Sequence, residues 1–243
     1  MVFGLFSKEA KLARLIKKAG NQLSQSPDRH SAMEGLLNLG SDEALYHLLR
    51  RFTFNYSKTL EDEQEKEWVV EAMTAKGDAV MPALERYLKS ASNIAYALRI
   101  LERVAERRQI LDIIDTLLAD EDPGYTRDTT KRTQLLHWLG EWNGADASEV
   151  ARRVIPYLQD FDENTRYTAV EALSARPVPE AVAPLVAALV RPKEEATRLR
   201  VRIAEVLADA GLDLGEGEPA VAALLDTALS DFRIERAKLV RKQ

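Results

Sequence analysis

The stretch that decides the fold is Val154–Leu173, VIPYLQDFDENTRYTAVEAL. Pro156 stands early in an apolar segment, where a proline is tolerated at a helix start. Asp160 and Asp162 then make a two-carboxylate turn, and Glu163 onward repeats apolar residues at helical spacing through Ala169, Val170 and Leu173. The spacing predicts two amphipathic helices joined by a tight turn. Such a pair has more apolar surface than it can bury alone, so it calls for neighbours of its own kind.

Outward from this unit the same grammar recurs. Val80-Met81-Pro82 leads a helix carrying Leu84, Tyr87 and Leu88, and Ile94, Leu98, Ile100, Leu101 and Val104 mark its partner. Ile110–Leu118 reads as another first helix. Arg127–Trp142 reads as its second, closed by Asn143-Gly144. Val182–Leu189 is followed by a basic partner, Thr197–Ala210, that stops at Gly211. Val221–Leu229 and Ile234–Val240 are read as the closing helices. Anchored on Pro82, Asp112, Pro156 and Pro184, the unit spacings are 30, 44 and 28 residues. These fall around the period of two-helix repeats, and no window alternates as a strand should. Nearer the N-terminus, Gly40 is a natural C-cap and Ser41 a natural N-cap. The acidic run Glu61–Glu67 reads as a solvated first turn favoured by the helix dipole, because it lacks the alternating ligands and central glycine of a calcium loop.

On these residues a family resemblance can be stated. Pro156-Tyr157-Leu158, Asp160, Asp162, Arg166 and Ala169–Leu173 resemble a HEAT repeat of the lyase-type bacterial kind. Pro184–Leu189 with Arg198 and Ala204–Leu207 is similar to a second copy, and Pro82 with Leu84 and Leu88 to a weaker third. The resemblance implies an all-α fold, an α-solenoid of about six or seven irregular HEAT-like helix pairs. It also implies that Asp162 and Arg166 form a structural ladder between adjacent repeats. The domain expectation is a basic amphipathic helix with its linker over residues 1–24 and a repeat array over 25–243. The helix at 3–19 places Phe6, Leu12, Leu15, Ile16 and Ala19 on one stripe opposite Lys8, Lys11, Arg14, Lys17 and Lys18. Capping the exposed end of the array is preferred over membrane contact, although Phe3, Leu5 and Phe6 before a cationic helix also fit an interfacial anchor.

Composition narrows function further. The 243 residues are 46% hydrophobic and 30% charged, with 34 Lys plus Arg against 39 Asp plus Glu, a net charge of −5. That balance argues against a nucleic-acid partner. No cysteine is present, so there is neither disulfide framework nor thiolate site, in keeping with a reducing cytoplasm. The longest apolar run, Ala181–Val190, is broken by Pro184 and is too short to span a bilayer. His30, His47 and His137 show no metal-ligand spacing, no glycine-rich phosphate loop or nucleophile elbow is found, and Asp112 and Asp115 are explained by surface polarity. The expectation is therefore no catalytic residue, no metal and no cofactor.

What remains is surface. A rotation of about 100° per residue places Lys131, Leu135, Trp138 and Trp142 on one stripe of their helix, with Thr129, Leu136, Leu139 and Gly140 on another. Tryptophans dominate interface hot spots, which makes Lys131, Trp138 and Trp142 the first partner-binding candidates. A second helix that touches both its own partner and its neighbour would bury both stripes instead. Arg198 and Arg202, with Arg200 and Lys193, make a second candidate cluster, interleaved with Glu194, Glu195 and Glu205. The function expected is a non-enzymatic scaffold that holds a protein or peptide on a concave helical surface. The alternative implied by the resemblance is a DNA-binding or DNA-alkylation-repair-type enzyme using Trp138, Trp142, Arg166 and Arg198; net acidity and the lack of a catalytic motif stand against it. The related bilin-lyase reading has only the repeat type behind it.

Overall fold

A computed structural model describes residues 2–191 and 197–242, with side chains from Lys8 onward. Lys193, Glu194 and Glu195, and the side chains of Phe3, Leu5 and Phe6, lie outside the described residues. The chain divides into two compact units, residues 1–117 and 118–243. No helix among the described residues is long and apolar enough to cross a membrane.

The first unit runs α1 (Val2–Ala19), α2 (Ser26–Leu39), α3 (Asp42–Leu49), α4 (Thr59–Thr74), α5 (Met81–Ser90), α6 (Ala95–Val104) and most of α7 (Arg107–Asp120). Local chemistry sets the breaks. Pro27 opens α2, Gly40 closes it with φ +61°, and the Ser41 hydroxyl accepts the Ala44 N–H at 3.4 Å to start α3. Apolar residues every third or fourth position then drive stacking between helices two apart, α3 on α5 and α4 on α6. Charged rungs cross the same contacts: Glu43 with Arg86 at 2.6 Å, Glu67 with both terminal nitrogens of Arg99 at 2.6 and 2.8 Å, and Glu71 with Arg103 at 2.6 Å. The helix α1 lies on α2 and α3, with Ala19 buried and the Leu15 side chain packed on Gly35.

The acidic run at the start of α4 departs from the sequence expectation. Asp62 and Glu65 are not solvated but 3% and 4% exposed, on the face that continues into Val69, Val70 and Met73. They are held by Arg51, whose Nη2 donates to Asp62 at 2.6 Å and whose Nε donates to Glu65 at 2.9 Å. Arg29 donates to Glu65 at 2.8 Å and Lys66 to Asp62 at 2.5 Å. The Tyr56 ring lies between the two guanidinium groups, 3.8 Å from Arg29 and 4.3 Å from Arg51. Burial pushes the Asp62 carboxyl up, but hydrogen bonds from Lys66, Arg51 and the Tyr56 amide outweigh it and hold Asp62 below the usual carboxylate range.

The second unit continues with α8 (Thr130–Glu141), α9 (Ala147–Val154), α10 (Glu163–Ser174), α11 (Val182–Leu189), α12 (Thr197–Ala210), the short α13 (Glu218–Ala222), and strands β1 (Phe232–Glu235) and β2 (Lys238–Arg241). Here too helices two apart pack, α8 on α10 and α10 on α12. Gly140 of α8 sits directly on the backbone of Ala172, and a Cβ there would come within 2.8 Å of the Ala172 Cα. Pro156 lies not inside a helix but in a 3-10 turn, Ile155–Gln159, that extends α9.

The C-terminal end corrects the sequence reading. Ile234–Val240 is not a helix; β1 and β2 pair antiparallel, with Phe232 opposite Arg241 and Glu235 opposite Lys238. Phe232 and Leu239 are buried, and β2 lies on α12. The hairpin turn uses Arg236 and Ala237 at φ +50° and +60°, a conformation for which Asn and Gly are the usual signal. Its absence is why the segment reads as helix. The Leu214 N–H, donated to the Ala237 carbonyl at 2.8 Å, and Arg241, 3.3 Å from Asp209, hold it in place.

Two outcomes follow from this packing. Asp62→Asn leaves Lys66 and Arg51 short of a counter-charge and is expected to cost about 3–5 kcal/mol at neutral pH in urea unfolding. Because the folded-state pKa of Asp62 is depressed, its contribution is present above the unfolded value of about 3.9 and lost as pH falls through the folded one. The gap between Asp62→Asn and the parent therefore closes in acid. Ala237→Gly relieves the left-handed strain and is expected to raise stability by about 1 kcal/mol in the same measurement.

Candidate partner interface

In the second unit a single buried arginine organises two turns. Arg132, near the start of α8, is 3% exposed and Asp160, in the turn before α10, is 0% exposed. Arg132 Nη1 donates to the Asp160 carboxylate at 2.6 Å and to the Gly124 carbonyl at 2.9 Å, and Nη2 donates to the Asp122 carbonyl at 2.6 Å. The other Asp160 oxygen accepts the Asp162 N–H at 2.8 Å. Tyr157 adds a third tie, its hydroxyl donating toward the carbonyls of Leu118 at 3.3 Å and Glu121 at 3.1 Å. Burial pushes the Tyr157 phenol up to about 12, so it stays a neutral donor. Burial likewise lifts Glu121 above the usual carboxylate range, against the pull of Lys131.

Pinned in this way, the two turns project Tyr125 and Phe161, which follow Gly124 and Asp160 directly. The two side chains are 76% and 69% exposed, and their rings meet edge to face at 5.5 Å. Gly124, at φ +148°, gives the backbone the geometry that turns Tyr125 outward. Two large rings left in water on a rigid base form an apolar patch that folding does not require. The loop Asp120–Asp128 around them carries four carboxylates and one arginine.

The residues singled out from sequence fall elsewhere. Trp138 and Trp142 stack on each other at 4.8 Å and are 8% and 4% exposed, so their stripe is packing material. The residue of α8 that meets α10 at Ala172 is Gly140, on the other stripe of the helix. Lys131 is 7% exposed and lies 4.0 Å from Glu121. Arg198 pairs with Glu163 at 2.7 Å, and Arg202 with Glu171 at 2.5 and 3.0 Å, which ties these two members of the basic cluster to the acidic face of α10, while Arg200 donates to the Arg191 carbonyl at 2.8 Å. Asp162 caps α10 by accepting the Thr165 N–H at 2.8 Å, and Arg166 donates to the carbonyls of Asp160 and Phe161, both at 3.0 Å. These bonds stay within one turn. Arg132–Asp160 is one rung that crosses between helix pairs, an arginine opening one second helix and an aspartate in the next turn. His30, His47 and His137 each face a glutamate one turn away, at 3.5, 3.0 and 3.5 Å.

Tyr125 and Phe161 were missed because pattern reading looks for periodic residues on helices. The available signal was an aromatic directly after a turn-forming Gly or Asp, in two loops that only the fold brings together.

A family model described as PBS lyase HEAT-like repeat matches residues 165–191. The matched segment takes in most of α10 and all of α11, so it pairs α10 with the helix that follows it. No curated protein and no solved structure matches the chain.

The pin and the patch separate in mutagenesis. Arg132→Ala strands the Asp160 carboxylate in the interior and is expected to cost about 3–5 kcal/mol. Phe161→Ala and Tyr125→Ala remove exposed rings and are expected to change stability by less than about 0.5 kcal/mol. Urea unfolding of the three variants measures both.

Proposed function

We propose that this HEAT-like repeat protein is a non-enzymatic interaction scaffold, its helix pairs stacked as an α-solenoid, and that it holds a protein partner at the Tyr125–Phe161 pair. HEAT-like repeats commonly serve as protein-interaction scaffolds. The observation that carries the site is the contrast in exposure: the tryptophans are packed away, whereas Tyr125 and Phe161 stand in solvent on turns fixed by a buried ion pair. Rigid aromatic groups bind at small entropic cost, and such groups make hot spots. The acidic loop beside them fits a partner segment with an apolar side chain flanked by lysine or arginine. A nucleic-acid reading loses support, because Arg198 and Arg202 are already neutralised by Glu163 and Glu171.

Photo-crosslinking tests the site. With benzoylphenylalanine in place of Phe161, a protein adduct is expected at that position and not from the same group at the exposed Leu60. Affinity for the protein so identified is expected to fall about 30-fold in a Tyr125→Ala/Phe161→Ala double variant, the loss of about 2 kcal/mol typical of a hot spot. Unchanged affinity in a variant that folds normally overturns the assignment.

A further inference from the structure

A second site, independent of the aromatic pair, lies in the first unit. Where the last turn of α1 meets α2, α3 and the 3-10 turn Arg50–Thr53, a cleft of about 280 Å³ opens. Its apolar wall includes Met33, Leu48 and Phe54, and its charged lining is Lys17, Arg50 and Arg51 with His47 beside them. Neither Asp nor Glu is among the described residues that line it.

Those cations are not equivalent. Arg51 is 3% exposed and fully engaged, donating to Asp62, Glu65 and the Phe54 carbonyl, so it fixes the Phe54 wall. His47 is tied to Glu43 at 3.0 Å. Lys17 and Arg50 are exposed, and among the described residues no carboxylate lies within ion-pair distance of either. The ion-pair network behind them is balanced, Arg29, Arg51 and Lys66 against Asp62, Glu65 and Glu63, so the cleft's own cations set its charge. Helix C-termini favour the cations placed at Lys17 and His47. A concave site with an apolar floor, two available cations and no competing acid selects for an anion with a hydrophobic body.

We propose that this cleft binds a small amphipathic carboxylate, its head between Lys17 and Arg50 and its short tail against Met33, Leu48 and Phe54. The volume lies at the small end of ligand sites, which start near about 300 Å³, and it limits the tail to a short chain.

Calorimetric titration of the full chain with octanoate, acetate and 1-octanol tests the assignment. Saturable binding of one octanoate is expected, with acetate and 1-octanol at least about tenfold weaker, because head and tail are both required. Lys17→Glu/Arg50→Glu is expected to weaken octanoate at least about tenfold. Thr53→Trp fills the mouth of the cleft with its charges intact and is expected to abolish binding. Both variants alter exposed positions, and an unchanged melting curve certifies the fold. Octanoate binding equally well to either folded variant, 1-octanol binding as tightly as octanoate, or no saturation at millimolar octanoate overturns the proposal.

Discussion

Taking an arginine and a carboxylate out of water together is the constraint on which both units depend. A buried ion pair recovers its desolvation cost only if nearly every donor and acceptor finds a partner. Arg51 meets that condition through Asp62, Glu65 and the Phe54 carbonyl, and the terminal nitrogens of Arg132 meet it through Asp160 and two loop carbonyls, while its buried Nε finds no partner among the described residues. In each case the arginine belongs to one element and its partners to turns or neighbouring helices. Satisfying the charge therefore fixes the turn geometry, and the turns carry the surfaces that remain open. The positions of Tyr125 and Phe161 in one unit, and of Phe54 in the other, are consequences of that requirement.

Charge pairing between helices then decides which surface is left for others. On α4 and α6, as on α10 and α12, an acidic helix meets a basic one, and the rungs Glu67–Arg99 and Glu171–Arg202 consume side chains that would otherwise read as binding patches. Such exposed or half-exposed pairs contribute little stability individually. Their larger effect is on specificity, because a neutralised basic helix no longer draws in polyanions. Among the described residues, the features left open include an aromatic pair on pinned turns and a cleft with two available cations.

Much of the helical framework was legible in the residues. Capping by Ser41 and Gly40, proline at the start of α2, and the apolar stripes of α5, α6 and α10 are local signals, each decided within a turn or two of chain. The carboxylates of α4 and the tryptophans of α8 were read less well for a common reason. Periodicity reports that a helix has two usable faces but not which neighbour covers each. The hairpin at 232–241 escaped notice because its turn places Arg and Ala at positive φ, so the usual glycine or asparagine marker is missing and contacts with α12 and Leu214 supply the constraint instead.

The sequence by itself determined the helical alphabet of this protein and the HEAT-like repeat at residues 165–191, since these rest on spacing, caps and prolines that act over a few residues. Only the tertiary structure decided which charges and aromatics are buried. Arg132 meets Asp160 across 28 residues and Tyr125 meets Phe161 across 36, and burial depends on those distant encounters rather than on any local pattern.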